Sequence, residues 1–203
     1  MDSLAKGQGK AVRVFIAIEL SRELGDSLGR LQDRLKRQVA ERSVRWVRPG
    51  GIHLTLKFLG DVPAQGVADI SQAVEAACQG FDRFSFGLAG LGCFPNPRRP
   101  RVVWVGVQEP SGTLARLQKA VEDKLAGLGF KPENRSFQPH LTLGRVGRQA
   151  SRSDQQQLGE LITGSEVGTL GSMTVTSVNV MRSDLRPGGA VYTALARVLL
   201  GSG

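Results

Sequence analysis

The sequence predicts an α+β fold of two similar lobes, each a mostly antiparallel sheet backed by helices, with a central cleft between them. Three observations predict it. The tetrapeptide His53-Leu54-Thr55-Leu56 recurs as His140-Leu141-Thr142-Leu143. An order of strand, helix, His strand, helix and strands is followed by a helix, a second His strand, a helix and strands. Strand-like runs also fall in hairpin-like pairs, which favours α+β over a wound parallel sheet. The halves are too intertwined in sequence to be separate domains.

Taken in order, residues 12–18 are a mostly apolar run with β-branched side chains, the pattern of a buried strand. Ser21 is placed to cap a helix with Leu24, Leu28, Leu31, Leu35 and Val39 on its inner face. Residues 45–47 form a short strand stopped by Pro49-Gly50-Gly51, and the first His strand runs from Ile52 to Leu59. Pro63 opens a second helix with Val67, Ile70, Val74 and Ala77 inward. Residues 84–88 alternate as a strand. Residues 90–101, crowded with Gly, Pro and Arg, read as an ordered loop. Residues 102–107 are a buried strand. Pro110 and Ser111 open a third helix, which Gly127 and Gly129 end. The second His strand spans His140 to Val146, and a helix with a poor apolar face lies between Ser153 and Ile162. Residues 173–181 read as one long strand, residues 184–189 as a turn, and residues 191–199 as the last strand. One two-lobed domain over residues 12–199 is expected, with a flexible tail at 1–11 and a short tail at 200–203.

The two histidines of the repeat are the only ones in the 203 residues. On a strand, His53 and Thr55 share one face while Leu54 and Leu56 share the other. Each copy therefore presents an imidazole beside a hydroxyl, anchored from behind by leucines. A lone strand histidine is ordinarily structural. An identical pair that uses every histidine points to a shared site across a cleft.

Composition narrows the partners. The formal charge is +9 and the sequence pI is near 10.4, which suits an anionic partner such as nucleic acid or a phosphorylated ligand. No apolar run is long enough for a membrane span, and residues 1–10 lack the apolar core of a signal peptide. Cys78 and Cys93 have no metal or redox spacing and make no disulfide framework, so a cytoplasmic setting is expected. Nothing demands an oligomer, and a monomer is expected.

Two imidazoles across a cleft suit a reaction that removes one proton and donates another near neutral pH. Two hydroxyls suit a centre with non-bridging oxygens, which points to phosphorus. A metal site is the rival reading. It fits poorly, because the histidines are far apart in sequence and neither motif holds Asp or Glu. No metal and no cofactor is expected. Gly90-Leu91-Gly92 lacks the Gly-Lys-Ser/Thr of a nucleotide-hydrolase loop.

Paired H-x-T-x motifs on two similar lobes resemble the signature of the 2H phosphoesterases. Within that superfamily the chain resembles the RNA 2′,3′-cyclic phosphodiesterases, also called 2′-5′ RNA ligases, from about Val12 to Leu199. The likeness includes residues 14–18, Arg45-Trp46-Val47, residues 53–60, the loop 94–101, residues 137–143 and the turn 186–189 before Tyr192. It implies a metal-free enzyme that opens terminal 2′,3′-cyclic phosphates of RNA, or cyclic nucleotides, to a 2′-phosphate. It also implies His53 as proton donor, His140 as proton acceptor, and Thr55 and Thr142 as phosphate-binding groups. The sequence by itself is symmetric and does not order the two histidines. Reversible 2′-5′ ligation and a non-catalytic basic RNA-binding module are the alternatives.

Further candidate RNA or phosphate contacts are Lys57, Arg98, Arg99 and Arg145. Lys57 stands two beyond Thr55, on the His face of an unbroken strand, with a solvated strand end as its plain reading. Arg145 stands at odd spacing from His140. An unbroken strand turns it away to the surface, and only a bulge or the strand end returns it to phosphate. Trp46, Phe15 and Phe137 are candidates for base stacking, with a place in the core as their plain reading.

Overall fold

The computed structural model describes residues 11–187 and 189–201. The elements run β1 (Ala11–Glu19), α1 (Arg22–Lys36), β2 (Val44–Trp46), β3 (His53–Pro63), α2 (Val67–Cys78), β4 (Phe84–Phe94), β5 (Val102–Gln108), α3 (Thr113–Ala126), β6 (His140–Val146), α4 (Arg152–Gly164), β7 (Gly171–Val175), β8 (Ser177–Arg186) and β9 (Gly189–Leu199). The nine strands order as β7-β4-β5-β6-β3-β1-β8-β9, with β2 beside β6. Every strand pairing is antiparallel.

That order is the sequence repeat written in space. The unit β1-α1-β3-α2 is replayed by β5-α3-β6-α4. One lobe is β3-β1-β8-β9 and the other β6-β5-β4-β7. They meet at their two His strands through one register pair, Leu54 with Leu141, and both leucines are fully buried.

The first helix of each half covers the sheet of the other. Leu24 of α1 lies so close to Gly171 of β7 that a Cβ there would stand 2.9 Å from it. The buried Gln32 amide donates to the Leu143 carbonyl at 2.8 Å and the Val47 carbonyl at 2.7 Å. From α3, Gln118 donates to the Leu56 carbonyl at 3.4 Å. Helix α2 packs on β8 and β9, and α4 on β4. The helices form where their apolar faces can be buried and their ends capped. Ser21 caps α1 through Leu24 N, and Ser151 and Asp154 cap α4 reciprocally. The cap compensates for the thin apolar face of α4, whose buried residues are Leu158, Gly159 and Ile162.

Five expectations need correction. Strand β4 continues through residues 90–94, where a loop was expected. Gly90, at φ +76°, absorbs a bulge between Ala89 and Leu91, and the Trp104 ring lies over Gly92 where a Cβ would stand 2.4 Å from it. Residues 173–181 are two strands rather than one. The chain leaves β7 at the edge of one lobe and enters β8 inside the other. The apolar alternation changes phase at this crossing, from Met173 and Val175 to Val178 and Val180, with only Thr176 and Ser177 between them to mark it. Pro63 ends β3, and α2 starts at Val67. The expected turn 184–189 is instead mostly strand, with β8 reaching Arg186 and β9 starting at Gly189; Gly188 lies outside the described residues. Finally, residues 200 and 201 are no tail. Leu200 is buried and donates to Thr176 O at 3.0 Å, and Gly201 donates to Phe81 O at 2.9 Å. The tail expected at 1–11 lies outside the described residues except Ala11, which starts β1.

Candidate active site

The Leu54–Leu141 pairing fixes the site. In an antiparallel register His53 then stands opposite Thr142, and Thr55 opposite His140. All four side chains point to one face, away from the two leucines. All four are half-buried, while Leu54, Leu56, Leu141 and Leu143 are buried in the core on the helix side.

The two imidazoles are held alike. Nδ1 of His53 donates to the Gly51 carbonyl at 2.9 Å, and Nδ1 of His140 donates to the Gln138 carbonyl at 2.7 Å. A carbonyl only accepts, so each Nδ1 carries the hydrogen and each Nε2 is left for the cleft. His53 rests 4.7 Å from the Phe15 ring and 4.9 Å from the edge-on Tyr192. His140 rests 4.9 Å from Phe94 at the same 83° interplanar angle and 6.2 Å from Trp104. Phe15, Ala17 and Met181, with Tyr192 against them, form a small apolar floor beneath His53, separate from the main core. Burial there lowers the His53 pKa from its ordinary 6.5, with the Gly51 hydrogen bond pulling the other way.

Both His strands bulge just past their threonines. Ala17 pairs with Thr55 and Ile16 with Lys57, so Leu56 is the extra residue of β3. Trp104 pairs with Thr142 and Val103 with Gly144, so Leu143 is the extra residue of β6. The carbonyls of these two extra residues are the ones Gln118 and Gln32 hold. Each bulge inverts the facing of the residues just after it, Lys57 and Phe58 on β3 and Gly144 and Arg145 on β6, before β3 shifts register again at Leu59.

Lys57 is thereby turned from the histidine face to the helix side. It is 6% exposed, its Nζ pairs with Glu122 of α3 and donates to Lys131 O at 2.9 Å. The expectation that Lys57 stands beside the histidines is overturned by the Leu56 bulge. Phe58 takes the place on the site face; it is 65% exposed and 5.8 Å from the Phe15 ring. On β6 the same inversion brings Arg145 back. It pairs with Val102, which pairs with Phe94, the aromatic against His140, so Arg145 shares the histidine face rather than turning from it.

Arg98 and Arg99 are exposed in the turn that follows Phe94. Asn96 Oδ1 accepts from both of their backbone nitrogens, at 3.1 and 3.2 Å, and Pro97 is pressed onto α4 at Gly159. Of the aromatics expected to stack a base, Phe15 is buried, Phe137 packs on the main core, and Trp46 lies on the Gly144 side of β2, away from the histidine face. The aromatics around the histidines are Phe15, beneath His53, with Phe58, Tyr192, Phe94 and Trp104; the bulges and sheet pairings that place these last four leave no mark in a periodicity. Among the described residues no group of three metal-ligating side chains forms.

The chain matches the family described as LigT like Phosphoesterase twice, over residues 18–104 and 105–192, one match for each half of the repeat. It belongs to that family. A protein of Methanothermobacter thermautotrophicus named RNA 2′,3′-cyclic phosphodiesterase is 41% identical over 182 residues, which cover 90% of this chain and 95% of the relative. One of the same name from Aeropyrum pernix is 37% identical over 84% of this chain and 95% of its own. Among solved LigT-like structures, TT0787 of Thermus thermophilus is similar at a TM-score of 0.75 and 25% identity, over 94% of this chain and 98% of its own. Escherichia coli LigT complexed with 3′-AMP is similar at 0.72 and 26%, over 94% and 99%. No described helix is long and apolar enough to cross a membrane.

Proposed function

We propose that this protein is an RNA 2′,3′-cyclic phosphodiesterase that works by general acid and base catalysis from His53 and His140, without a metal, as a cytoplasmic monomer. The observation that carries the reading is the Leu54–Leu141 register, which sets both His-Thr pairs on one face. The two histidines are diagonal neighbours across this pair, a spacing of about 7–8 Å between backbones on an antiparallel ladder. That leaves room for one phosphorus between their Nε2 atoms. The family names of the relatives support the substrate class.

In the reaction, neutral His140 takes a proton from a water whose oxygen bonds to phosphorus. The bond from phosphorus to the ribose O3′ breaks in line with that attack, and protonated His53 gives its proton to O3′. The products are a 3′-hydroxyl and a 2′-phosphomonoester. Thr55 and Thr142 donate to the non-bridging oxygens, and Arg145 offsets charge that builds there. The order of donor and acceptor rests on the family resemblance. The burial that lowers the His53 pKa works against the protonated form in the free protein, so the phosphate's own negative charge is what holds the proton on His53. With a 5′-hydroxyl in place of water, the same steps form a 2′–5′ linkage; the matched tethering of the two imidazoles favours this second use of the site.

The test is hydrolysis of an RNA ending in a 2′,3′-cyclic phosphate, in excess chelator, with the product's phosphate located. A 2′-phosphate formed at full rate is expected. Loss of turnover in chelator, or a 3′-phosphate product, overturns the proposal.

A further inference from the structure

Arg145 has a neighbour that the mechanism above does not use. In the β2–β6 pairing, Arg45 stands directly opposite Arg145. Register partners share a face. The neighbours of Arg45 confirm which face it is: a Cβ on Gly144 would meet Val44 Cγ1 at 2.7 Å and Trp46 Cε3 at 3.2 Å, so Val44 and Trp46 occupy the other side. Arg45 and Arg145 therefore both look out over the histidine face. Both are exposed, and neither is in an ion pair or a side-chain hydrogen bond among the described residues.

Like charges set directly opposite on a sheet repel one another. Arginine's planar fork suits a phosphate oxygen pair. The pair sits past Thr142, at the His53 end of the four-residue square, because β3 and β6 run in opposite directions. In the proposed reaction His53 faces O3′, so the ribose lies at this end and the rest of the RNA strand leaves from here.

We propose that Arg45 binds the phosphodiester on the 5′ side of the terminal nucleotide, so that the site holds two successive phosphates of an RNA strand. The cyclic phosphate sits between the histidines, and the upstream phosphate sits at Arg45, with Arg145 between them. This assignment rests on the cyclic phosphodiesterase reading. It makes the preference for RNA over a cyclic mononucleotide a property of one residue outside the catalytic set.

The test compares two substrates, 2′,3′-cyclic AMP, which has no upstream phosphate, and a trinucleotide with the same cyclic end. Arg45→Gln is expected to lower kcat/KM for the trinucleotide roughly ten-fold through KM, with little change for the mononucleotide. The slope of log KM against log salt for the trinucleotide is expected to shrink by about 1. Arg45→Lys is expected to restore part of the loss by keeping the charge. An equal fall on both substrates, or no fall on either, overturns the assignment. Binding of a 3′-phosphorylated trinucleotide against 3′-AMP, wild type and Arg45→Gln, reads Arg45 separately from catalysis. If the wild type turns over neither cyclic substrate, the phosphodiesterase reading fails, and a trinucleotide-specific loss of binding still marks Arg45 as a phosphate contact.

Discussion

The two halves of the molecule agree up to a threonine and then part. From His53 to Thr55 and from His140 to Thr142 the partners are equivalent: a carbonyl on Nδ1, an aromatic edge on the ring, a leucine anchor behind. Past the bulges, one half carries Lys57 and Phe58, the other Gly144 and Arg145. Lys57 turns inward to an ion pair, whereas Gly144 makes room for Val44 and Trp46 of β2. On the site face, an exposed aromatic ring answers a guanidinium. The lesson is that the duplicated part matches what is symmetric in the proposed chemistry, proton transfer on either side of one phosphorus. The divergent part matches what is not, a substrate with a base and sugar on one side and water on the other.

The strongest way to break this comparison is to remove one imidazole at a time. His53→Ala and His140→Ala are each expected to lower kcat about 10²–10⁴-fold, and the double variant is expected to be scarcely worse than the poorer single one, because the two act as a unit. Near-wild-type turnover in either single variant would end the equivalence. Next in size is a stability effect confined to one half. Lys57→Met leaves the buried Glu122 carboxylate without its cation and is expected to cost about 3–5 kcal/mol in denaturant unfolding. Adding Glu122→Leu is expected to recover much of it. A Lys57→Met protein as stable as wild type would mean that the first bulge does not bury this side chain.

The smallest effect separates the two imidazoles themselves. With only two histidines, both ring resonances are readily followed by NMR. His53 is expected to titrate below the ordinary 6.5, and to move upward when inorganic phosphate or 3′-AMP occupies the cleft. The unfolded chain takes up this proton first as pH falls. The stability contributed by neutral His53 is therefore full above about 6.5 and lost as pH drops through its lowered folded value. His53→Asn is expected to flatten that part of the stability profile. A His53 midpoint above 6.5 in the free protein would contradict the desolvated floor of Phe15, Met181 and Tyr192.

The legible parts of this protein were those that a period can encode. The alternation in each His-Leu-Thr-Leu run placed imidazole and hydroxyl together and both leucines behind, and the heptad-like spacing of Leu24, Leu28, Leu31 and Leu35 found α1. A bulge breaks the period without changing the residues. A plain period therefore sets Lys57 on the wrong face and Arg145 off the right one, although the cause in each case is a single leucine. Arg45 and Phe58 come to the histidine face only through pairings between strands distant in sequence, which one chain read alone does not display. The passage from β7 to β8 leaves a slighter mark, a one-residue change of apolar phase from Val175 to Val178, which does not by itself show a change of lobe.

That passage bears on how the protein is made. The strands beyond β1 on its far side, β8 and then β9, are made after every other strand of the sheet, and α1 rests on β7, made just before them. A nascent chain that has just produced the first histidine has neither the sheet edge nor the helix seat that would hold it. The cleft that holds both histidines can close only after β7, β8 and β9 have been made, and a fragment ending between the two halves has no finished lobe to fold into.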